Sequence, residues 1–317
     1  MPKEPGRKFS DKIETTDPTS PDYVPYITGI EKPFLAALAE LDLALEKNKH
    51  WEGITSTLKS CRGIVSIQSD HSQKIPDSAV IDHKTASDRI GNKAPALNKT
   101  DFLIYSDDFP PLFWEILHSL ETEIPKDVDK NSDTNLLEML VHDPNSLISQ
   151  LEKTTKLDSS SLLLGLNSAY QVFVASSAER IRNEFEKTKW DHGYCPMCGS
   201  GPEMGRIASH GGHLYLVCSL CFTEWKHPRL KCPFCGNEAN DKLGHFSVEE
   251  YKGYRVNICK NCKSYLKVTL ESELGRHHIP IFDTIYSIEL DSLASKEGYN
   301  AGEIMFNEHI DANRKSN

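Results

Sequence analysis

Residues 195–262 read CPMCGSGPEMGRIASHGGHLYLVCSLCFTEWKHPRLKCPFCGNEANDKLGHFSVEEYKGYRVNICKNC. Four Cys-x-x-Cys pairs punctuate this stretch: Cys195 with Cys198, Cys218 with Cys221, Cys232 with Cys235, and Cys259 with Cys262. Two intervening residues let one tight turn aim two sulfurs at a common ion, and two such turns close a tetrahedral site. Four pairs therefore predict two bound ions. The first and third pairs read Cys195-Pro-Met-Cys198-Gly and Cys232-Pro-Phe-Cys235-Gly. Proline fixes φ inside the turn and glycine tolerates a positive φ after it, which is the knuckle of zinc ribbons and rubredoxins. The second and fourth pairs follow apolar stretches, Leu214–Val217 and Tyr254–Ile258, that suit strands leading into an opposing knuckle. The four pairs thus form an internal repeat, each copy a Cys-Pro-x-Cys-Gly turn, a tyrosine-bearing strand and a glycine-free Cys-x-x-Cys.

Duplication predicts pairing within each copy, and an interleaved arrangement of first pair with third stays open. Nineteen residues lie between Cys198 and Cys218 and 23 between Cys235 and Cys259, against a ribbon loop of roughly 15 to 20. A disulfide framework and a thioredoxin-like dithiol fit less well. The latter uses one pair at a strand-to-helix junction, whereas these four sit in Gly-, Pro- and Tyr-rich hairpin sequence. Sulfur-only tetrahedral sites accept iron or zinc, and the ligand set does not choose between them. His192, His210, His213, His227 and His245 lie nearby, but four thiolates saturate each ion, which leaves the histidines surface or supporting polar contacts.

Outside this region, the composition is that of a soluble globular chain: 317 residues, 38% hydrophobic and 26% charged. No apolar run approaches the roughly 20 residues needed to span a bilayer, and the N-terminal stretch MPKEPGRKFSDKIETTDPTSPDY has no hydrophobic segment to act as signal or anchor. A cytoplasmic protein without membrane insertion is expected. A net charge of −10 argues against general nucleic-acid binding, which needs an excess of phosphate-neutralising Lys and Arg. Of nine cysteines only Cys61 lies outside the cluster, and a lone cysteine defaults to a small idle hydrophobe.

Residues 1–27, with five prolines and few apolar side chains, read as a flexible N-terminal arm. Residues 28–190 read as a helical domain. Phe34, Leu38, Leu41 and Leu45 share a helix face, as do Phe113, Ile116, Leu117 and Leu120 after Pro110 and Pro111, with Pro125 ending that run. A longer helix starts at a cap on Asp158 or Ser159 and carries the stripe Leu162, Leu166, Tyr170, Phe173, Val174 and Ile181 toward Trp190. Each stripe is read as core packing. Residues 66–100 look like a loop or weakly helical insertion. This half has no glycine-rich phosphate loop, nucleophile elbow or His-Glu-x-x-His. The tandem module occupies 191–270, and 271–317 form a closing helix around Tyr286, Leu290 and Leu293, with Gly298 at its end, and a tail. The expected class is α+β.

The sequence resembles the formate dehydrogenase accessory protein family, FdhE. The likeness rests on Cys195-Pro-Met-Cys198-Gly-Ser, on Leu216-Val-Cys218-Ser-Leu-Cys221-Phe-Thr223-Glu224-Trp225, on Cys232-Pro-Phe-Cys235-Gly and on Cys259-Lys-Asn-Cys262-Lys-Ser-Tyr265-Leu266-Lys267, and it extends to a tail with Leu290, Asp291, Leu293, Glu297, Gly298 and Tyr299. Phe222, where members often carry glycine, departs from the pattern. The resemblance implies a cytoplasmic, non-enzymatic factor that helps mature respiratory formate dehydrogenase by engaging its catalytic subunit through the cysteine motifs. Two other classes remain open. A zinc-ribbon binder of nucleic acid or the transcription machinery would use the basic residues Lys226, Arg229, Lys231, Lys252, Arg255, Lys260, Lys263 and Lys267. A thiol-disulfide oxidoreductase would need at least one metal-free pair with a lowered thiol pKa.

Overall fold

The computed structural model describes residues 25–29, 31–47, 52–76, 80–120 and 135–302. Residues 1–24 of the expected arm, the Pro125 helix stop and residues 303–317 of the tail lie outside the described residues.

The N-terminal half is built from helices α1 (Pro33–Lys47), α2 (Glu52–Ser72), α3 (His83–Gly91), α4 (Phe109–Ser119), α5 (Leu136–His142), α6 (Pro144–Thr155) and α7 (Ser159–Ile181). Proline opens α1, where a missing N–H costs nothing. The expected face of α1 points inward, with Phe34 and Leu41 buried. At α7 the Asp158 carboxylate accepts from the Ser160 and Ser161 N–H groups at 2.9 and 3.0 Å, satisfying orphan donors of the first turn. The stripe on α7 ends at Ile181, after which Arg182–Phe185 tighten into a 3₁₀ turn. α7 packs on α4 so closely that a Cβ on Gly165 would stand 2.7 Å from Leu117 Cδ2. Phe102, Tyr105, Phe109 and Phe113 stack around Tyr170 and Phe173 to fill this core.

The described parts of 66–100, residues 66–76 and 80–100, are more ordered than their polar composition suggests. α2 runs on to Ser72, and its buried face there carries Gln68 and Ser69, which leave no apolar stripe to read. The Gln68 amide is satisfied by the Ser168 carbonyl at 2.8 Å. α3 is capped by Asp82 onto the Thr85 N–H at 2.9 Å. The following loop is pinned by Arg89, which donates to the Ala96 carbonyl at 3.0 Å and to the Asp101 carboxylate at 2.5 Å.

The C-terminal half carries one mixed sheet rather than two separate beads. Its strands are β1 (Ile27–Gly29), β2 (Pro202–Ile207), β3 (Leu214–Cys218), β4 (Thr223–His227), β5 (Leu243–Phe246), β6 (Tyr254–Cys259), β7 (Ser264–Leu270) and β8 (Asn300–Ala301). The order is β1-β4-β3-β2-β7-β6-β5, with β8 beside β7. Each cysteine copy supplies an antiparallel trio, β2-β3-β4 or β5-β6-β7, and the trios join through the parallel pair β2·β7, where Met204 faces Lys267. β1, from the other end of the chain, covers the β4 edge with Ile27 opposite Trp225.

Alternation along the strands gives each face its own partner. Leu214, Leu216, Trp225, Leu266 and Val268 join the core of the helical half, so that core is continuous across residue 190. Met204, Val217, Tyr254, Val256 and Tyr265 form a second core on the opposite face with Leu290 and Ala294. The closing element there is a pair, α9 (Pro280–Tyr286) and α10 (Ile288–Lys296), following a single turn α8 (Glu271–Leu274). Ser287, buried and donating its hydroxyl to the Asp283 carbonyl at 2.6 Å, breaks what reads as one helix. Gly298 takes its expected positive φ of 80° just beyond α10.

Candidate metal centres

The two knuckles of each copy face one another across its sheet. In the first copy, Cys195 and Cys198 precede β2, Cys218 ends β3 and Cys221 lies in the turn to β4. In the second, Cys232 and Cys235 precede β5, Cys259 ends β6 and Cys262 lies in the turn to β7. The repeat extends to main-chain hydrogen bonds. Cys195 N donates to Ser200 O at 2.8 Å and Gly199 N to Cys195 O at 3.0 Å, matched by Cys232 N to Asn237 O at 2.9 Å and Gly236 N to Cys232 O at 3.0 Å.

Within each copy the four sulfurs lie within 4.8 Å of one another. Pairs one and two thus meet, as do pairs three and four, and the interleaved arrangement is not adopted. In the first cluster Cys195 and Cys221 sulfurs are 3.5 Å apart, Cys198 and Cys218 3.4 Å, and Cys198 and Cys221 3.5 Å. In the second, Cys232 to Cys262 and Cys235 to Cys259 both measure 3.7 Å. A disulfide would bring sulfurs to about 2.05 Å, whereas four thiolates each ~2.3 Å from one ion stand about 3.8 Å apart. The donor set and its spacing fit a tetrahedral thiolate-bound ion at both places. Neither cluster includes a histidine. His227 is buried, and burial, then Lys231, depress its ring pKa to about 4. His192 stacks on Trp190 and Tyr194, with ring centroids 4.9 Å away in each case.

Within each cluster the thiol shifts run in opposite directions. Burial pushes the Cys195 and Cys218 thiols up. Burial acts on Cys221 too, but contacts with the other three sulfurs and Thr223 outweigh it and hold Cys221 well below the usual thiol range. Cys232 is likewise raised by burial, while for Cys235 the slight burial is overcome by the Asn237 N–H and the Asn261 amide, giving a pKa of about 7.

All four knuckles end in a left-handed residue: Gly199 (φ 79°), Phe222 (φ 57°), Gly236 (φ 70°) and Lys263 (φ 59°). Sequence reading found the two glycines and marked Phe222 only as a departure from a position where glycine is frequent, and it missed Lys263, because nothing in Lys advertises a positive φ. Phe222 is held there by packing. It is buried, and its ring meets Phe34 of α1 edge-on at 5.6 Å. Lys263 is exposed, its ammonium 5.5 Å from the Tyr299 ring. Lys263→Gly is therefore expected to stabilise the protein by up to about 1 kcal/mol through relieved strain, whereas Phe222→Ala should destabilise it by about 3 kcal/mol through lost packing. Urea midpoints of the metal-loaded proteins that moved in the same direction would contradict this account.

The clusters differ in their surroundings. The first is sunk in the core, its cysteines between 0% and 8% exposed. Cys195 Sγ accepts from Met197 N at 3.3 Å, and Cys218 Sγ accepts from the N–H groups of Leu220 and Cys221 at 3.4 Å. Thr223 Oγ1 lies 3.2 Å from Cys221 Sγ. The helical half grips the knuckles directly. Ala96 and Leu97 donate their N–H groups to the Pro196 and Met197 carbonyls at 2.9 and 2.7 Å. Gln171 of α7 donates to the Ser219 carbonyl at 2.9 Å and accepts from Gln68 at 3.1 Å. Sequence reasoning missed these grips because the first uses backbone groups of a loop and the second a single polar side chain of α7, neither of which has a sequence signature. The second cluster sits at the far end of the sheet, Cys235 exposed and Cys262 half-buried. Its third knuckle rests on the chain near residue 193, where a Cβ on Gly193 would stand 1.8 Å from the Pro233 carbonyl oxygen.

A family model described as "FdhE, central domain" matches residues 194–229. A "Protein FdhE homolog" from Aquifex aeolicus is 29% identical over 227 residues, covering 70% of this chain and 77% of its own. A homologue from Pseudomonas aeruginosa is 37% identical over 114 residues, and "Protein FdhE" of Escherichia coli K12 is 38% identical over 109. These two alignments span 36% and 34% of the relatives' own lengths. A crystal structure of the FdhE protein from Pseudomonas aeruginosa shares the fold, with a TM-score of 0.64 at 22% identity over 90% of this chain and 99% of that one. The chain is thus similar in sequence to proteins named FdhE, most clearly around residues 194–229, and shares the fold of one of them.

Proposed function

We propose that this protein is an accessory factor in the maturation of formate dehydrogenase and binds that enzyme's catalytic subunit through the region organised by the two cysteine clusters. The observation that carries this reading is the likeness to a protein named FdhE homolog over 227 residues, together with the family-model match at residues 194–229. In this reading Cys195, Cys198, Cys218 and Cys221 hold one ion and Cys232, Cys235, Cys259 and Cys262 hold the other. Zinc would act as a fastener, and iron would add one-electron redox chemistry. The clips matter because a three-stranded trio buries too little apolar surface to fold alone. The factor is non-enzymatic and works in the cytoplasm. Among the described residues no helix is long and apolar enough to cross a membrane.

The nucleic-acid reading loses part of its basis to the placement of its basic residues. Lys267 is buried, and its ammonium donates to Asp291 at 2.8 Å and to the Thr284 carbonyl at 3.0 Å. Lys226 lies 5.3 Å from the Tyr26 ring, and Lys231 is 3.4 Å from Glu238. The basic string therefore does not present one phosphate-binding face.

The test is an affinity pull-down of the tagged full chain from its host's extract, with partners identified by mass spectrometry. Enrichment of a formate dehydrogenase catalytic subunit supports the proposal. Recovery of RNA polymerase subunits or nucleic acid in its place would overturn it.

A further inference from the structure

The two clusters have the same ligands and sulfur geometry, yet opposite access. Every sulfur of the first is shielded, and its knuckles are gripped by the Ala96–Leu97 loop and Gln171. An incoming ligand cannot reach that ion without parting the sheet from the helices. At the second cluster, Cys235 is exposed, and its sulfur's side-chain polar neighbour outside the cluster is the Asn261 amide at 3.6 Å, itself at the surface. Access and hydrogen bonds around a metal centre set how readily its ligands exchange.

We propose that the second centre is an exchange centre, at which a cysteine thiolate of a partner protein displaces Cys235 from the ion, while the first centre is a permanent fastener. This rests on reading both clusters as metal centres. The chemistry of the incoming group follows from the site. A thiophilic ion already held by sulfur takes another soft ligand in preference to carboxylate or water. Lys260 and Lys263, both exposed, flank the fourth knuckle, and Arg229, also exposed, stands near the third, which favours an anionic ligand. Leu230, 62% exposed between Arg229 and Lys231, offers an apolar contact for the segment carrying the thiol. The step balances without any oxidant or reductant. One sulfur–metal bond to Cys235 breaks, one sulfur–metal bond to the partner cysteine forms, and Cys235 takes up the proton that the incoming thiol gives up.

The experiment uses the full chain loaded with two equivalents of zinc, with glutathione as the incoming thiol and a chromophoric chelator reporting release. The expected result is biphasic. One equivalent leaves at least about tenfold faster than the other, at a rate that rises with glutathione concentration. Alkylation mapped by mass spectrometry after the fast phase finds Cys235, Cys232, Cys259 and Cys262 modified and the first set protected. This map comes from the unaltered protein, so it does not depend on a variant folding. In C235S, zinc at the second cluster is expected to be released without need of glutathione. Equal release rates, a fast phase indifferent to glutathione, or early labelling of Cys195, Cys198, Cys218 or Cys221 would each overturn the exchange proposal while leaving two metal centres. A starting content well below two equivalents would overturn the metal reading and the proposal with it.

Discussion

Cys221→Ser is expected to lower the stability of the full chain by more than about 5 kcal/mol, several times the effect of Cys262→Ser at the equivalent position of the second copy. The scale comes from structural zinc, where ion binding contributes on the order of 10 kcal/mol or more to folding. Location decides how much of it the whole molecule feels. The first cluster lies inside the continuous core with Trp225, Phe222 and Leu220, and the helical half is hydrogen-bonded to its knuckles. Losing one ligand there leaves buried sulfurs uncompensated and loosens the seam between the halves. The second cluster is partly open to water, so its failure can stay local, as fraying of β5 and the third knuckle. Urea unfolding followed by far-ultraviolet circular dichroism and tryptophan fluorescence would distinguish the two. Similar losses for both variants would show that the clusters bear equally on the fold.

Asp283→Ala should destabilise the protein by about 3 to 5 kcal/mol, as expected for stripping one partner from a buried charged network. The Asp283 carboxylate is fully buried and accepts from Arg276 Nη2 at 2.5 Å, Tyr254 OH at 2.5 Å and Ile279 N at 2.7 Å, with His278 Nδ1 2.9 Å away. These donors tie α9 to β6 and to the segment after α8. Burial alone would raise the Asp283 pKa, but His278 and Arg276 outweigh it and hold the carboxyl well below the usual carboxylate range. The sign follows from linkage. The unfolded chain takes up a proton near the ordinary carboxylate value, about 4, which the folded state refuses. The contribution of Asp283 is therefore fully present above that pH. It declines as pH falls further, by about 1.4 kcal/mol per unit. Asp283→Asn should flatten this limb of the stability profile. A pH profile parallel to that of the parent protein would place the acid sensitivity elsewhere.

How far the sequence carried this description depends on what kind of interaction holds each part. Cys-x-x-Cys spacing announces its partners because two sulfurs on one turn have few other uses, and the duplicated Cys-Pro-x-Cys-Gly turns pointed to pairing within each copy. The helical stripes on α1, α4 and α7 were equally plain, since apolar side chains at helical spacing are the packing itself. The parallel joint of β2 with β7 was hidden, because pairing between distant strands is written in backbone groups every residue shares. The Ala96–Leu97 grip was hidden for the same reason. Polar buried faces misled in another way: Gln68 on α2 donates to the Ser168 carbonyl and Ser287 between α9 and α10 donates to the Asp283 carbonyl, so these positions are buried without displaying apolar periodicity.

The joint between β2 and β7 also imposes an order of events while the chain is being made. Translation delivers residues at roughly 5 to 20 per second, so β2 waits many seconds before its neighbour leaves the ribosome. During that interval the first trio can already have β1 along its outer edge, because β1 was synthesised long before β4. Its inner edge stays open, a row of unpaired N–H and C=O groups of the kind that invites pairing with other nascent chains. Early filling of the first cysteine cluster would hold β2 and β3 in register through that exposed period, making ion supply at the ribosome a determinant of yield.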